Sequence, residues 1–381
     1  MDENIDKLPK KRIAYLDNMR SLIIFLVVVL HSAVTYSGIG GWYYKEGSLE
    51  NLLVFEIIFF GFLQSHIQAW TLGTLFFISA YLASKALVKY GTAKFIKERL
   101  FRLGIPLLIY VFIISPFLGY ILHEHNPEIG ILDNYFQYII NFWWLGSTGP
   151  LWFVQVLLIF SVIYAVIRKC FSNSKKIKSI GTMNIVLIIT IIGLIAFLIR
   201  LVFPIGSIFL NLQFSYFSSY IVMFICGIIA GENNLIEIIS DRKNIGWLKI
   251  SFIIGIPLWA ITMLLGGALE EKFYFEGGFN WQSFSYAIWE SLTAIGFSMG
   301  LIAFFRLKLN FNNRFTGLIK NNAFGIYFFH APAMVVISLL LKNWILSPVL
   351  KFALVAVITF IFCLMFSYLI RKIKPVGVLL K

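Results

Sequence analysis

Charge is what this sequence has least of: 13% of its residues are Asp, Glu, Lys or Arg, about half the share in an ordinary soluble domain. Acidic groups are the scarcer kind, 18 against 32 basic. The three cysteines, Cys170, Cys226 and Cys363, show no CxxC or CxH spacing, which excludes a disulfide framework and a zinc module and leaves packing as their expected role. No repeat of fixed period is present, and no Gly/Pro-interrupted apolar segments recur in matching halves, which speaks against a solenoid or an inverted-repeat transporter. A polar stretch long enough for a soluble domain is missing as well.

What fills the 381 residues is apolar, 59% by composition. Continuous apolar runs fall at 21–37, 70–87, 103–122, 151–167, 185–202, 216–230, 250–266, 284–305, 323–341 and 349–370. Each is near the 20 or so residues that an α-helix needs to cross a bilayer. The expected fold is therefore all-α: one polytopic, membrane-embedded domain over 1–381, with about ten transmembrane helices. The polar, basic segment 1–20 lacks a small-residue cleavage site before the first run, so that run is expected to be a retained helix. A further apolar stretch, 52–63, is too short to cross alone and is expected to form an interfacial or re-entrant helix.

A formal charge of +14 would suit nucleic acid if the basic residues clustered on one face, but they sort by loop. With ten spans and an inside N-terminus, only Lys45, Arg200, Lys272, Lys342 and Lys351 fall outside. That asymmetry is the positive-inside rule, and it places 1–20 and the tail 372–381 in the cytoplasm. The outer segments are acidic and aromatic instead, with Glu124, Glu128 and Asp133, then Trp143 and Trp144, and later Glu270, Glu271 and Glu276. An eleventh crossing by 52–63 would turn the Lys-rich loops outward. The expected partner is the lipid bilayer and no nucleic acid.

Ionisable side chains inside a span are costly and are functional candidates by default. Asp17 and Arg20 stand at the inner end of the first run, and His31 follows eleven residues after Arg20. Eleven residues are close to three helical turns, so Arg20 and His31 share a face about 16 Å apart, with Asp17 one turn below. The plainer alternative makes Arg20 a topological anchor and His31 an interhelical hydrogen-bonding group. Arg99 and Arg102 end a basic run that leads into the third span. Their planar forks suit phosphate, whereas the nearby lysines need no role beyond anchoring. His330 is followed by Pro332 in the ninth span and either meets substrate or braces a kink there. His66 is placed at an outer pocket or the interface, and Glu290 is an intramembrane carboxylate expected to face a cavity or a cation. Trp152, at the outer start of the fourth span, stacks on a sugar or belongs to the interfacial belt. No metal site is indicated.

These residues carry a resemblance. RIAYLDNMRSLIIFLVVVLHSAVTY is similar to the opening of the bacterial acyltransferase 3 family, with its Arg-x10-His signature. TLFFISAYL, RLFRLGIP, GPLWFVQVLL and NAFGIYFFHAP resemble the family's second, third, fourth and late His-containing spans. Within the family, LDNMR leading to LHSAVTY looks most like the glucan biosynthesis protein C subgroup, whose members are associated with succinylating periplasmic glucans. One departure is Ala80, where the family usually has Gly.

The resemblance implies an O-acyltransferase in the bacterial plasma membrane. It would move an acetyl or succinyl group from cytoplasmic acyl-CoA, a co-substrate and not a resident cofactor, to a hydroxyl of an extracytoplasmic glycan. It further implies acyl-CoA phosphates on Arg20, Arg99 and Arg102, oriented by Asp17, and His31 as general base. His66, Trp152, Glu290 and His330 would contact or support substrate. The competing expectations are a glycan transporter or flippase lined by His31, His330 and Glu290, and a scaffold whose buried polar groups only join helices. The sequence leaves open the acyl group, the acceptor, an acyl-enzyme intermediate and the oligomeric state.

Overall fold

A computed structural model describes residues 13–125, 135–171, 177, 180–238, 241–270 and 272–380. Glu128, Asp133, Glu271 and the basic residues before Ile13 lie outside the described residues. Among the described residues, ten helices are long and apolar enough to cross a membrane. They are α1 (Ala14–Ser37), α2 (Val54–Tyr90), α3 (Thr92–Glu124), α4 (Gly149–Cys170), α5 (Thr182–Arg200), α6 (Phe214–Asn233), α7 (Asp241–Glu270), α8 (Trp281–Lys308), α9 (Arg314–Leu340) and α10 (Pro348–Ile370). No strand occurs among the described residues beyond one isolated bridge, Phe209 with Leu212. The protein is a polytopic all-α membrane protein, because only helices satisfy their backbone groups internally in lipid without closing a barrel.

The segment 52–63 departs from expectation. It is not a separate helix: from Val54 it is the first part of α2, which runs unbroken for 37 residues. The polar residues Gln64, Ser65, His66 and Gln68 ended the apolar run, yet none of them stops a helix, and the backbone ladder continues through them. Glu56 starts α2 by accepting the Leu53 N–H at 3.0 Å. The span count stays at ten, because the segment is continuous with a helix already counted.

Three π turns widen the helices, at Leu100–Gly104, Tyr110–Ile114 and Ser251–Gly255. Each is followed two residues later by a proline: Pro106, Pro116 or Pro257. A proline lacks the N–H that the regular ladder needs, and its ring crowds the carbonyl four residues back; a widened turn relieves both. Arg102 lies inside the first π turn, so its position relative to Arg99 is not that of a regular helix.

Helices α2 and α8 form the centre, each with 67% of its apolar window buried, whereas α7 has 22%. Helix α1 packs against α2, α8, α9 and α10. Helix α6 lies on α2 through Gly227 and Gly231, where an added Cβ would come within 2.3 Å of the Phe77 carbonyl oxygen and 2.0 Å of Ser84 Oγ. Small residues spaced four apart let helix backbones approach where lipid gives no hydrophobic drive. Ala80 is fully buried at this seam, opposite Gly227, so the missing glycine on one helix is matched by a glycine on the other. Of the cysteines, Cys363 is buried in the core as expected, but Cys170 is exposed at the end of α4 and packs nothing.

Candidate active site

Helices α1 and α9 are held in register by polar contacts between them. The Tyr36 hydroxyl donates to Ser338 Oγ at 3.2 Å, and Thr35 Oγ1 lies 3.9 Å from the Met334 sulfur. Below these contacts the two histidines meet, with His330 Nε2 3.0 Å from His31 Nδ1. His330 Nδ1 lies 2.6 Å from the Tyr327 carbonyl oxygen. A carbonyl only accepts, so His330 Nδ1 carries a proton, and in the neutral ring Nε2 is the acceptor. His31 Nδ1 is then the donor, and the lone pair of the dyad is on His31 Nε2. Such an arrangement orients a base through a second group that is itself oriented.

The site is closed by parts of the chain far apart in sequence. The loop 38–53 returns over α1, where the Glu46 and Gly47 N–H groups donate to the Thr35 carbonyl at 2.8 and 3.1 Å. A Cβ on Gly47 would come within 1.9 Å of the Tyr36 carbonyl oxygen, so only glycine permits this approach. An ion pair between Glu46 and the buried Lys351 fixes the same loop to α10. The loop delivers Trp42, whose ring stacks on His31 at 3.9 Å and 16°. Tyr43 beside it contacts the Tyr110 hydroxyl of α3 at 3.1 Å, and burial pushes the Tyr43 phenol up to about 12, so it stays neutral. The start of α4 completes the rim: Gly149 lies against Tyr43 and Tyr110, and the Pro150 carbonyl accepts from the Tyr327 hydroxyl. His31 keeps part of its surface open, whereas His330 has none.

Three helical turns from His31, towards the basic end of the bundle, Arg20 forms an ion pair with Asp17 at 3.6 Å. Arg99 sits over the Phe95 ring, and the like charges of Arg102 and Arg20 both act on it. The three arginines therefore share one end of the bundle, with Asp17 beside Arg20 and well away from His31.

The histidine dyad can take a proton from one group, and the basic cluster formed by Arg20 of α1 with Arg99 and Arg102 of α3 can hold an anionic one. Comparison with known proteins agrees with this: the profile of the acyltransferase domain family matches residues 13–368. The chain belongs to the acyltransferase 3 family. It is accordingly an acyltransferase that transfers groups other than aminoacyl groups. No curated protein and no solved structure matches the chain.

The remaining candidates of this acyltransferase fall elsewhere. His66 lies within α2 instead of preceding the span, its Nδ1 donating to the Phe62 carbonyl at 2.9 Å and its ring packed against Trp259 and Trp289. Glu290 does meet a cation: Arg200 Nη2 lies 2.5 Å from its Oε2. Arg200, expected among the residues of the outer loops, is instead fully buried at the end of α5 between the rings of Tyr216 and Tyr286. Trp152 turns inward, its ring 5.6 Å from that of Tyr220 on α6.

Trp42 and the His31–His330 bond went unforeseen. A GGWYY run directly after the His-bearing span was the available signal for Trp42. Nothing in linear spacing signals a contact across 299 positions.

Proposed function

We propose that this acyltransferase moves an acetyl or succinyl group from cytoplasmic acyl-CoA to a hydroxyl of an extracytoplasmic glycan, in the plasma membrane of a bacterium. The observation that carries the proposal is the hydrogen-bonded pair of histidines, His330 Nε2 to His31 Nδ1 at 3.0 Å, with His31 on the same face of α1 as Arg20. Resemblance to the glucan biosynthesis protein C subgroup favours succinyl as the acyl group and a periplasmic glucan as the acceptor.

Coenzyme A is a polyanionic nucleotide. Arg20, Arg99 and Arg102 bind its phosphates at the inner rim through paired hydrogen bonds, and Asp17 orients Arg20. The pantetheine arm then spans the roughly 16 Å of helix rise from Arg20 to His31. His31 Nε2 takes the proton of the attacking sugar hydroxyl. That general-base step is worth about 10²–10⁴-fold in rate, and His330, accepting from Nδ1 throughout, orients His31 and stabilises its imidazolium. Tyr43, half-buried at the rim and held by the fully buried Tyr110, offers a ring face to the sugar.

The test is transfer from radiolabelled succinyl-CoA and acetyl-CoA to envelope glycan in inside-out membrane vesicles, with mass spectrometry of the product. The wild-type chain adds one acyl unit and His31→Ala does not. A stably inserted His31→Ala protein that still acylates glycan overturns the assignment.

A further inference from the structure

Among the described residues, the loop over the dyad carries two buried polar atoms with nothing to bond, Glu46 Oε2, whose other oxygen pairs with Lys351, and a donor on the ring that stacks on His31. Trp42 Nε1 is buried and finds no hydrogen-bond partner among the described residues. Its ring lies parallel to that of His31 at 3.9 Å, and 6.0 Å and 20° from that of His330. An indole N–H is a donor only, and leaving a donor buried and unmade is costly. The fold nevertheless spends several contacts on holding Trp42 there: the Gly47 approach to Tyr36, the Glu46–Lys351 ion pair, the two bonds to the Thr35 carbonyl and the neighbouring Tyr43–Tyr110 contact. Stacking alone needs only the ring face.

We propose that Trp42 Nε1–H is the oxyanion donor of this enzyme, hydrogen-bonding the thioester oxygen of the acyl donor as negative charge develops on it. The inference rests on the acyl-CoA reading of the site. The indole and imidazole planes are parallel at 3.9 Å, and the proposal requires Trp42 Nε1 and His31 Nε2 to open on the same side of that stack. The attacking hydroxyl sits at the His31 edge and the thioester carbonyl at the Trp42 edge. As the sugar oxygen bonds to the carbonyl carbon, its proton passes to His31 Nε2, and the C=O electron pair moves onto oxygen, which accepts from Trp42 Nε1. The C=O then re-forms and the C–S bond breaks. The CoA sulfur leaves with the electron pair and recovers the proton from His31, giving the ester and free CoA thiol. A preorganised donor at such a position acts in the transition state far more than in the ground state.

The experiment uses the full chain in inside-out vesicles with radiolabelled succinyl-CoA and acetyl-CoA. Trp42→Phe keeps an aromatic face on His31 and removes the N–H. The expected result is a fall in kcat of roughly 10²–10³-fold, with KM for acyl-CoA within about twofold of wild type. Binding of S-propyl-CoA, a thioether with no carbonyl, stays unchanged. Should the smaller ring destabilise the loop, 3-benzothienylalanine at position 42, which replaces the N–H by sulfur at nearly the same volume, is expected to give the same fall. Wild-type kcat in either substituted protein overturns the proposal. His31→Ala is run alongside. If it is inactive while Trp42→Phe turns over normally, the oxyanion role alone fails; if it is fully active, the reading of the whole site fails with it.

Discussion

His31 of α1 and His330 of α9 are bonded ring to ring at 3.0 Å, and the proton on His330 Nδ1 is fixed by the Tyr327 carbonyl. Removing the acceptor, as in His330→Phe, leaves the His31 Nδ1–H without a partner and frees its ring to turn. We expect a loss in kcat of roughly 10²-fold or more, within the range of general-base effects, at unchanged KM for acyl-CoA. His330→Gln, whose carbonyl oxygen can still accept, recovers part of it. Wild-type turnover in His330→Phe would show the dyad to be only a helix contact.

At the basic end of the bundle, Arg20 of α1 and Arg102 of α3 both act on Arg99. Loss of a charge-assisted hydrogen bond costs about 1.5–3 kcal/mol, so alanine at any one of the three is expected to raise KM for acyl-CoA roughly 10- to 100-fold. Turnover at saturation is expected to hold. Lysine restores little, because a point charge lacks the paired geometry. An unchanged KM in all three alanine variants would remove the phosphate role.

The Arg200–Glu290 pair is buried, with Arg200 Nε and Nη1 lacking hydrogen-bond partners among the described residues. Glu290→Leu strands a guanidinium inside the bundle and is expected to destabilise by about 3–5 kcal/mol. Arg200→Met combined with Glu290→Leu removes both charges and is expected to lie nearer to wild type. Thermal unfolding in nanodiscs reads both. A double variant no better than the single one would mean that the pair contributes more than it costs to bury.

Gly227 faces the Phe77 carbonyl so closely that Gly227→Ala must part α6 from α2. A destabilisation of about 1–3 kcal/mol is expected, the usual cost of overpacking. Gly91, where an added Cβ meets nothing, makes a poor control because its φ of +74° strains any side chain; Gly61, also open and without that strain, is the better one, and Gly61→Ala is expected to be neutral or slightly stabilising.

Burial raises the carboxyl of Glu276, in the segment between α7 and α8. A pKa higher in the folded than in the unfolded state means that folding binds the proton. Stability is then greatest below the ordinary carboxyl value, about 4.3, and declines as pH rises through the raised one. Glu276→Gln is expected to flatten that decline in unfolding scans. An identical pH profile in the variant would contradict it.

Much of this molecule was legible in the order of its residues. Ten spans could be counted because a bilayer filters on local composition, which is a linear property. Arg20 and His31 could be placed on one face because helical pitch converts spacing into direction. Glu290 could be expected to meet a cation because an isolated charge in lipid is too costly. The errors have equally local causes. Residues 52–63 were cut from the second span because polar side chains interrupt an apolar run without interrupting backbone hydrogen bonding. The full burial of Arg200, counted with the outer side, is not legible because it depends on Tyr216, Tyr286 and Glu290, which belong to other elements.

By itself, then, the sequence determined the fold class, the number of crossings and the single face of α1 that carries both His31 and Arg20, all of which follow from periodicity and from the solvent that apolar runs require. Only the tertiary structure decided which partner His31 takes, which of its nitrogens keeps the lone pair, and that Trp42 returns from a loop to cover it. Those outcomes depend on how α1, α9 and the 38–53 loop dock, and docking is fixed by contacts such as Tyr36 with Ser338 and Gly47 with Tyr36, pairs no helical period can relate.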